Sequence, residues 1–270
     1  MCTAPPFPSV ETVPRSSVSV LPSAPVITST WLGRPAAAAL RLGGACLVLL
    51  ALGMMWASRI VFPGNTYVSG LGAAGEITSV AFNVSLAMVA LGGAASAFGL
   101  WGLRSGRGLF GAWAVSTSLL AASAMFGVGA AVPCSTGCPI PLTPGAAPQD
   151  LVHTTAAVLG FALAGVAIIQ TLRFGRVYAA LAVPSLVLVI ATAAAGGILS
   201  LAGVATGLGG WLELIATTSA LLWLTAVSLA TQHRITTATV LHRSMADSQT
   251  PRAARPIGWT GGAPHLHLLG

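Results

Sequence analysis

Charge is what this chain is short of. Only 6% of its 270 residues are Asp, Glu, Lys or Arg. That scarcity excludes a water-soluble globule, because a soluble fold of this length leaves roughly a quarter of its unfolded-chain surface in water. Lysine is missing altogether, so all 12 basic residues are arginines. No P-loop, dinucleotide-binding fingerprint or haem-attachment motif occurs, and the arginines are not interleaved with aromatics as on a nucleic-acid-binding surface. The five histidines and four cysteines form no cluster at zinc-ligand spacing. Neither a cofactor, a metal nor a nucleic-acid partner is therefore expected.

Hydrophobic residues fill the space, at 55% of the chain. They fall into six long runs, at 42–61, 77–100, 109–132, 151–172, 177–202 and 211–230. Roughly 20 helical residues, at about 1.5 Å each, cross a hydrocarbon core about 30 Å thick. In lipid a segment must satisfy its own backbone hydrogen bonds, and these runs are too long and continuous for barrel strands, so they are read as helices. Pro184 is a candidate kink in the fifth. The expected fold class is all-α, a polytopic six-helix transmembrane bundle spanning 37–232, flanked by tails at 1–36 and 233–270 that are expected to be disordered and cytoplasmic. The first run lies too deep in the chain for an ordinary secretory signal and is expected to stay as an anchor.

Eleven of the twelve arginines fall before the first run, after the second, after the fourth or after the sixth, and only Arg59 lies on the opposite side. The positive-inside rule then places both termini in the cytoplasm. Abundant Ala and Gly with Arg in place of Lys suit a high-GC bacterial genome, and the expected location is the bacterial inner (plasma) membrane, with the lipid bilayer as the partner in view.

By that topology three acids, Glu76, Asp150 and Glu213, stand at the outer starts of helices two, four and six. The structural explanation is capping: a carboxylate in a helix's first turn meets free N–H groups and the positive end of the dipole. The functional explanation rests on stripes that continue into the membrane: Glu76, Ser79, Asn83 and two alanines on helix two; His153, Ala157, Gly160 and Ala164 on helix four; Glu213, Ala216, Thr217 and Ala220 on helix six. Polar residues at membrane depth face the bundle interior, and small ones let helices approach. An outward-opening polar vestibule is expected, with Glu76, Asn83, Asp150, His153 and Glu213 as binding candidates for a cation, a lipid headgroup or a proton-coupled solute. A hydrolytic alternative uses Ser69 as nucleophile and His153 as base, oriented by Asp150 or Glu213.

Cys134 and Cys138, four apart between prolines with Gly137 to turn the chain, can close a small disulfide ring on the outer side. Redox-active pairs usually have two intervening residues at a helix N-terminus, so the structural reading is preferred to thiol exchange. Cys46, inside the first run, is read as a packing residue.

Four motifs together carry a resemblance: Asn65-Thr66-Tyr67-Val68-Ser69-Gly70-Leu71-Gly72, Cys134-Ser135-Thr136-Gly137-Cys138-Pro139, Asp150-Leu151-Val152-His153 and Gly210-Trp211-Leu212-Glu213. In order and placement the chain, over about 40–230, resembles a six-helix bacterial membrane family, domain of unknown function nine-nine-eight. The resemblance implies the bundle fold and favours Ser69, His153 and Glu213 as site positions, with Asp150 next. It implies no mechanism, since the family has no established activity. Leu214 stands where relatives place a basic residue, which tells against an ion-pair role for Glu213. The function expected is a multi-pass membrane protein with a binding, transport-related or scaffold role at its outer polar face, the alternative being a membrane-embedded hydrolase of a lipid-like substrate.

Overall fold

The computed structural model describes residues 33–103 and 113–249. Six α-helices follow one another: α1 Arg34–Val61, α2 Ser79–Gly99, α3 Val115–Ala131, α4 Pro148–Thr171, α5 Arg176–Leu201 and α6 Thr206–Gln249, with a 3-10 turn at Ser69–Gly72 before α2. Strands are absent among the described residues. Five of the six helices are long and apolar enough to cross a membrane, and α3 is a shorter apolar helix of 17 residues. The protein is thus a polytopic helical bundle. The first residues expected of the third span, 109–112, lie outside the described residues, as do 1–32 and 250–270 of the expected tails.

Two boundaries differ from the sequence expectation. Arg34, Pro35 and Ala36 already belong to α1, because a proline in the first turn needs no N–H partner and has its φ preset for a helix. At the other end α6 runs 44 residues to Gln249, about 66 Å at 1.5 Å per residue. Residues 233–249, expected to be disordered, are helical. Every proline and glycine of that tail lies at or beyond Pro251, and an established helix propagates cheaply until a breaker stops it.

The helices form a ring in the order α4, α3, α2, α1, α6, α5, each packed on the next. Closure is incomplete: α4 and α5, although joined by a short turn, touch much less than the other neighbouring pairs. Glycine sets the tightest seam. An added Cβ at Gly44 of α1 would lie 2.6 Å from the Gly92 carbonyl oxygen of α2, and one at Gly99 would lie 2.9 Å from the Arg41 nitrogen, so α1 and α2 meet backbone to backbone. Small residues at such a crossing are the membrane solution to helix association. The Gly92-Gly93 pair therefore serves packing. Cys46, by contrast, points away from the bundle and is exposed. An apolar thiol facing lipid costs nothing there, so its expected packing role inside the protein is not found.

Antiparallel succession puts Arg34, Arg41, Arg173, Arg176 and Arg234 at one end of the bundle and Arg59 at the other. Arg41 is buried among neutral acceptors, its guanidinium bonded to Gly99 O at 2.6 Å and Gln232 Oε1 at 2.7 Å, which ties α1, α2 and α6 together. At the opposite end lie the loops that hold the candidate residues.

Candidate functional site

The two long loops at the Arg59 end, α1–α2 and α3–α4, are stitched to the helices and to each other. Glu213 Oε2 accepts the Val68 N–H at 2.9 Å, and Thr66 and Tyr67 pack against Gly209 and Gly210, where a Cβ would collide with them. The glycine run at 207–210 therefore allows a close backbone approach. Cys134 and Cys138 are disulfide-bonded, with Gly137 at φ +77° closing the turn. That ring is pinned from both sides: Ala74 N–H donates to Cys134 O at 2.9 Å and Thr136 Oγ1–H to Ala74 O at 2.9 Å.

Asp150 is the anchor of this region. It is fully buried; Oδ1 accepts Ser135 N–H at 2.7 Å, and Oδ2 accepts Ser135 Oγ–H at 2.8 Å and Ala147 N–H at 2.7 Å. The last is the N3-to-N-cap half of a capping box. Its polar capacity is spent on the loop and the helix start, and neither oxygen bonds His153.

His153, one turn on, is 3% exposed. Its Nδ1 lies 2.9 Å from Val132 O and 3.1 Å from Gly129 O. Both partners are pure acceptors, so Nδ1 carries the proton, and in the neutral ring Nε2 is left as an acceptor. The orienting role expected of Asp150 or Glu213 belongs instead to two α3 carbonyls.

Glu213 was expected at the first turn of helix six. Because α6 begins at Thr206 rather than at Trp211, Glu213 sits two turns inside the helix and caps nothing. It is half-buried and has no cationic partner among the described residues; Arg59 instead stacks on Trp211, 4.8 Å from the ring centre, and bonds Gly64 O.

A cavity of about 730 Å³ occupies the middle of the ring, and Ser69, His153 and Glu213 all line it. So do Ala157 and Ala164 of α4 and Ala216, Thr217 and Ala220 of α6, while Gly160 lies against Phe126. The helix-two stripe does not take part. Asn83 and Ser79 turn to the Gly72 carbonyl, at 2.8 and 3.0 Å, and Glu76, in the turn before α2, is outside the lining. What α2 presents to the cavity is apolar: Phe82, Leu86 and Val89. These, with Phe126 and Phe161 in edge contact at 5.5 Å, were not singled out by sequence reasoning, since apolar residues in a membrane helix are unremarked. The contribution of α5, Ala193, Gly197 and Ser200, follows a small-residue spacing that the sequence does show.

The arrangement is an apolar chamber with a few polar groups at its loop end. Residues 62–230 match a protein family described as Protein of unknown function (DUF998). The chain belongs to this family. The DUF998 match takes in α2 to α5, the loops and the first part of α6, so every residue lining the chamber except Met55 falls within it, whereas α1 lies before its start. No curated protein and no solved structure matches the chain.

The disulfide gives the DUF998 domain a direct test. Replacing Cys134 and Cys138 together with serine should lower stability by about 2 kcal/mol, the chain-entropy value for so short a loop, read as a lower thermal midpoint in detergent. Appearance of a mixed disulfide with either single mutant would point to exchange chemistry instead.

Proposed function

We propose that this DUF998 protein binds a membrane-soluble, lipid-like molecule in the central cavity. One observation carries the reading: Ser69, His153 and Glu213 line the loop end of a single, largely apolar chamber of about 730 Å³, within the range of small-molecule sites, roughly 300–1,000 Å³. At about 30 Å³ per water-sized group it holds roughly two dozen such groups, suiting one chain and a small head.

Gly197 offers a clean test. It lines the cavity and a Cβ there meets nothing within 4 Å, so Gly197→Phe should fill the chamber without disturbing the fold, and removing a helix-interior glycine favours α5. Lipids retained through purification and released for mass spectrometry should include a species carried by the wild type and lost from Gly197→Phe. Equal retention by both would count against the cavity.

The hydrolase alternative requires Ser69 to reach His153. No hydrogen bond joins them, and no carboxylate orients the ring. If hydrolysis did occur, Ser69→Ala would abolish turnover while leaving binding intact; under the binding reading it changes little, because the hydroxyl is one of several polar groups in the lining.

For orientation we propose both termini in the cytoplasm of a bacterial cell, on the arginine asymmetry, which sets the polar end of the cavity outside. In a Cys-free background, Gly145→Cys should react with a membrane-impermeant thiol reagent in intact cells and Gly175→Cys should not. The reverse pattern would invert the topology.

A further inference from the structure

We infer that the cavity selects a single-chain amphiphile whose headgroup donates hydrogen bonds, an amine above all, and that the ligand enters sideways from the bilayer between α4 and α5; this rests on the binding reading above. The headgroup follows from what the lining leaves unmet. Glu213 Oε2 accepts Val68 N–H, while among the described residues its other oxygen takes no bond and no cation pairs with it. His153, also in the lining, commits Nδ1–H to two carbonyls, which in the neutral ring leaves Nε2 as an acceptor. Both residues line the same largely apolar chamber. A carboxylate without a cation there is costly; an ammonium or hydroxyl head satisfies it, whereas a phosphate or carboxylate head would meet like charge with no arginine in the lining.

The route follows from the packing. α4 and α5 both line the cavity yet make the weakest contact of any neighbouring pair in the ring. Val158 of α4 is in the lining and is 62% exposed, as a residue at an open seam would be. On α5 the lining residues are Ala193, Gly197 and Ser200, small enough to let a chain pass. The loop end, by comparison, is covered by the disulfide ring and the Val68–Glu213 strap.

The test uses the full chain in lipid nanodiscs and a fluorescent neutral alkyl probe of about sixteen carbons, a length set by the two dozen groups the cavity holds. Matched alkyl amine, alcohol, carboxylic acid and phosphate compete for it. The amine should displace the probe at a concentration at least tenfold lower than the acid or phosphate, with the alcohol between. Glu213→Gln keeps an amide oxygen for Val68 N–H but removes the charge, and should shrink the amine-to-acid ratio to within about twofold; comparing the ratio between variants cancels membrane partitioning and any change in probe affinity. If Glu213→Gln fails to fold, His153→Gln should still lower the preference for amine and alcohol together. Equal competition by all four heads, or preference for an anion, overturns the headgroup assignment while the cavity stands. A probe that does not bind, or is not excluded by Gly197→Phe, overturns the cavity and the assignment with it. Bulk at the seam, Val158→Trp with Gly197 retained, should slow probe entry severalfold; unchanged entry kinetics would refute lateral entry.

Discussion

Gly44→Leu should prevent the bundle from assembling. A Cβ alone at that position would come within 2.5 Å of Ser96 Oγ, 2.6 Å of the Gly92 carbonyl oxygen and 2.8 Å of the Ser96 backbone nitrogen, far inside van der Waals contact, and the last two are backbone that no rotamer change can move. α1 and α2 would have to separate by ångströms. Separation would unseat the core residues Val48 and Val89 as well as the Arg41 contacts to Gly99 and Gln232. Overpacking of a well-filled core typically costs about 1–3 kcal/mol; a whole helix pair forced apart should exceed that. Expressed with a fluorescent tag, the variant should show no monodisperse size-exclusion peak, and Gly92→Leu should behave alike because it strikes the same seam from the other helix. Gly43→Leu is the control: nothing lies within 4 Å of a Cβ there, and the change should leave the peak intact. A well-behaved Gly44→Leu protein would mean that α1 and α2 do not cross as described.

The second large effect concerns Asp150. Asp150→Ala removes the acceptor for three donors at once, and the two backbone N–H groups of Ser135 and Ala147 have nowhere else to turn. Each unsatisfied buried donor costs about 1–3 kcal/mol, so the loss should amount to about 3–5 kcal/mol, seen as a sharply lowered thermal midpoint. Asp150→Asn retains one acceptor oxygen but puts an NH₂ against a backbone donor, and should cost less, about 1–3 kcal/mol. Ligand affinity should change little in whatever Asn protein folds, because Asp150 is outside the cavity lining. His153→Phe should do the opposite, weakening binding while sparing most stability. If Asp150→Asn eliminated binding at unchanged stability, the separation between anchor and site drawn from the geometry would fail.

Asp150 and Glu213 show what a capping argument can and cannot deliver. Asp150 sits two residues after Pro148 and before a hydrophobic run, and its role at a helix start was legible there; that it also holds the disulfide loop was not, since Ser135 is 15 positions away and no local rule pairs them. Glu213 looked equivalent in sequence. Only the position of the α6 start, one turn and more before Trp211, shows that it is an interior residue with an open oxygen.

Solvent class, helix count and the order of helices and loops were determined by the sequence itself. Runs of about 20 apolar residues admit few other structures, because lipid offers the backbone no hydrogen bonds and each segment must supply its own. The small-residue faces of α4 and α6 were legible for a related reason, since polar or tiny residues are conspicuous against an apolar background. The tertiary structure alone decided which faces meet. In a bilayer the exterior is as apolar as the interior, so hydrophobic periodicity no longer separates inside from outside, and nothing local distinguishes Phe82, which lines the chamber, from Val80, which faces outward. For the same reason the withdrawal of Asn83 to the Gly72 carbonyl, the two α3 carbonyls behind His153, and the loose seam between α4 and α5 that opens the cavity to lipid arise only when six helices pack together.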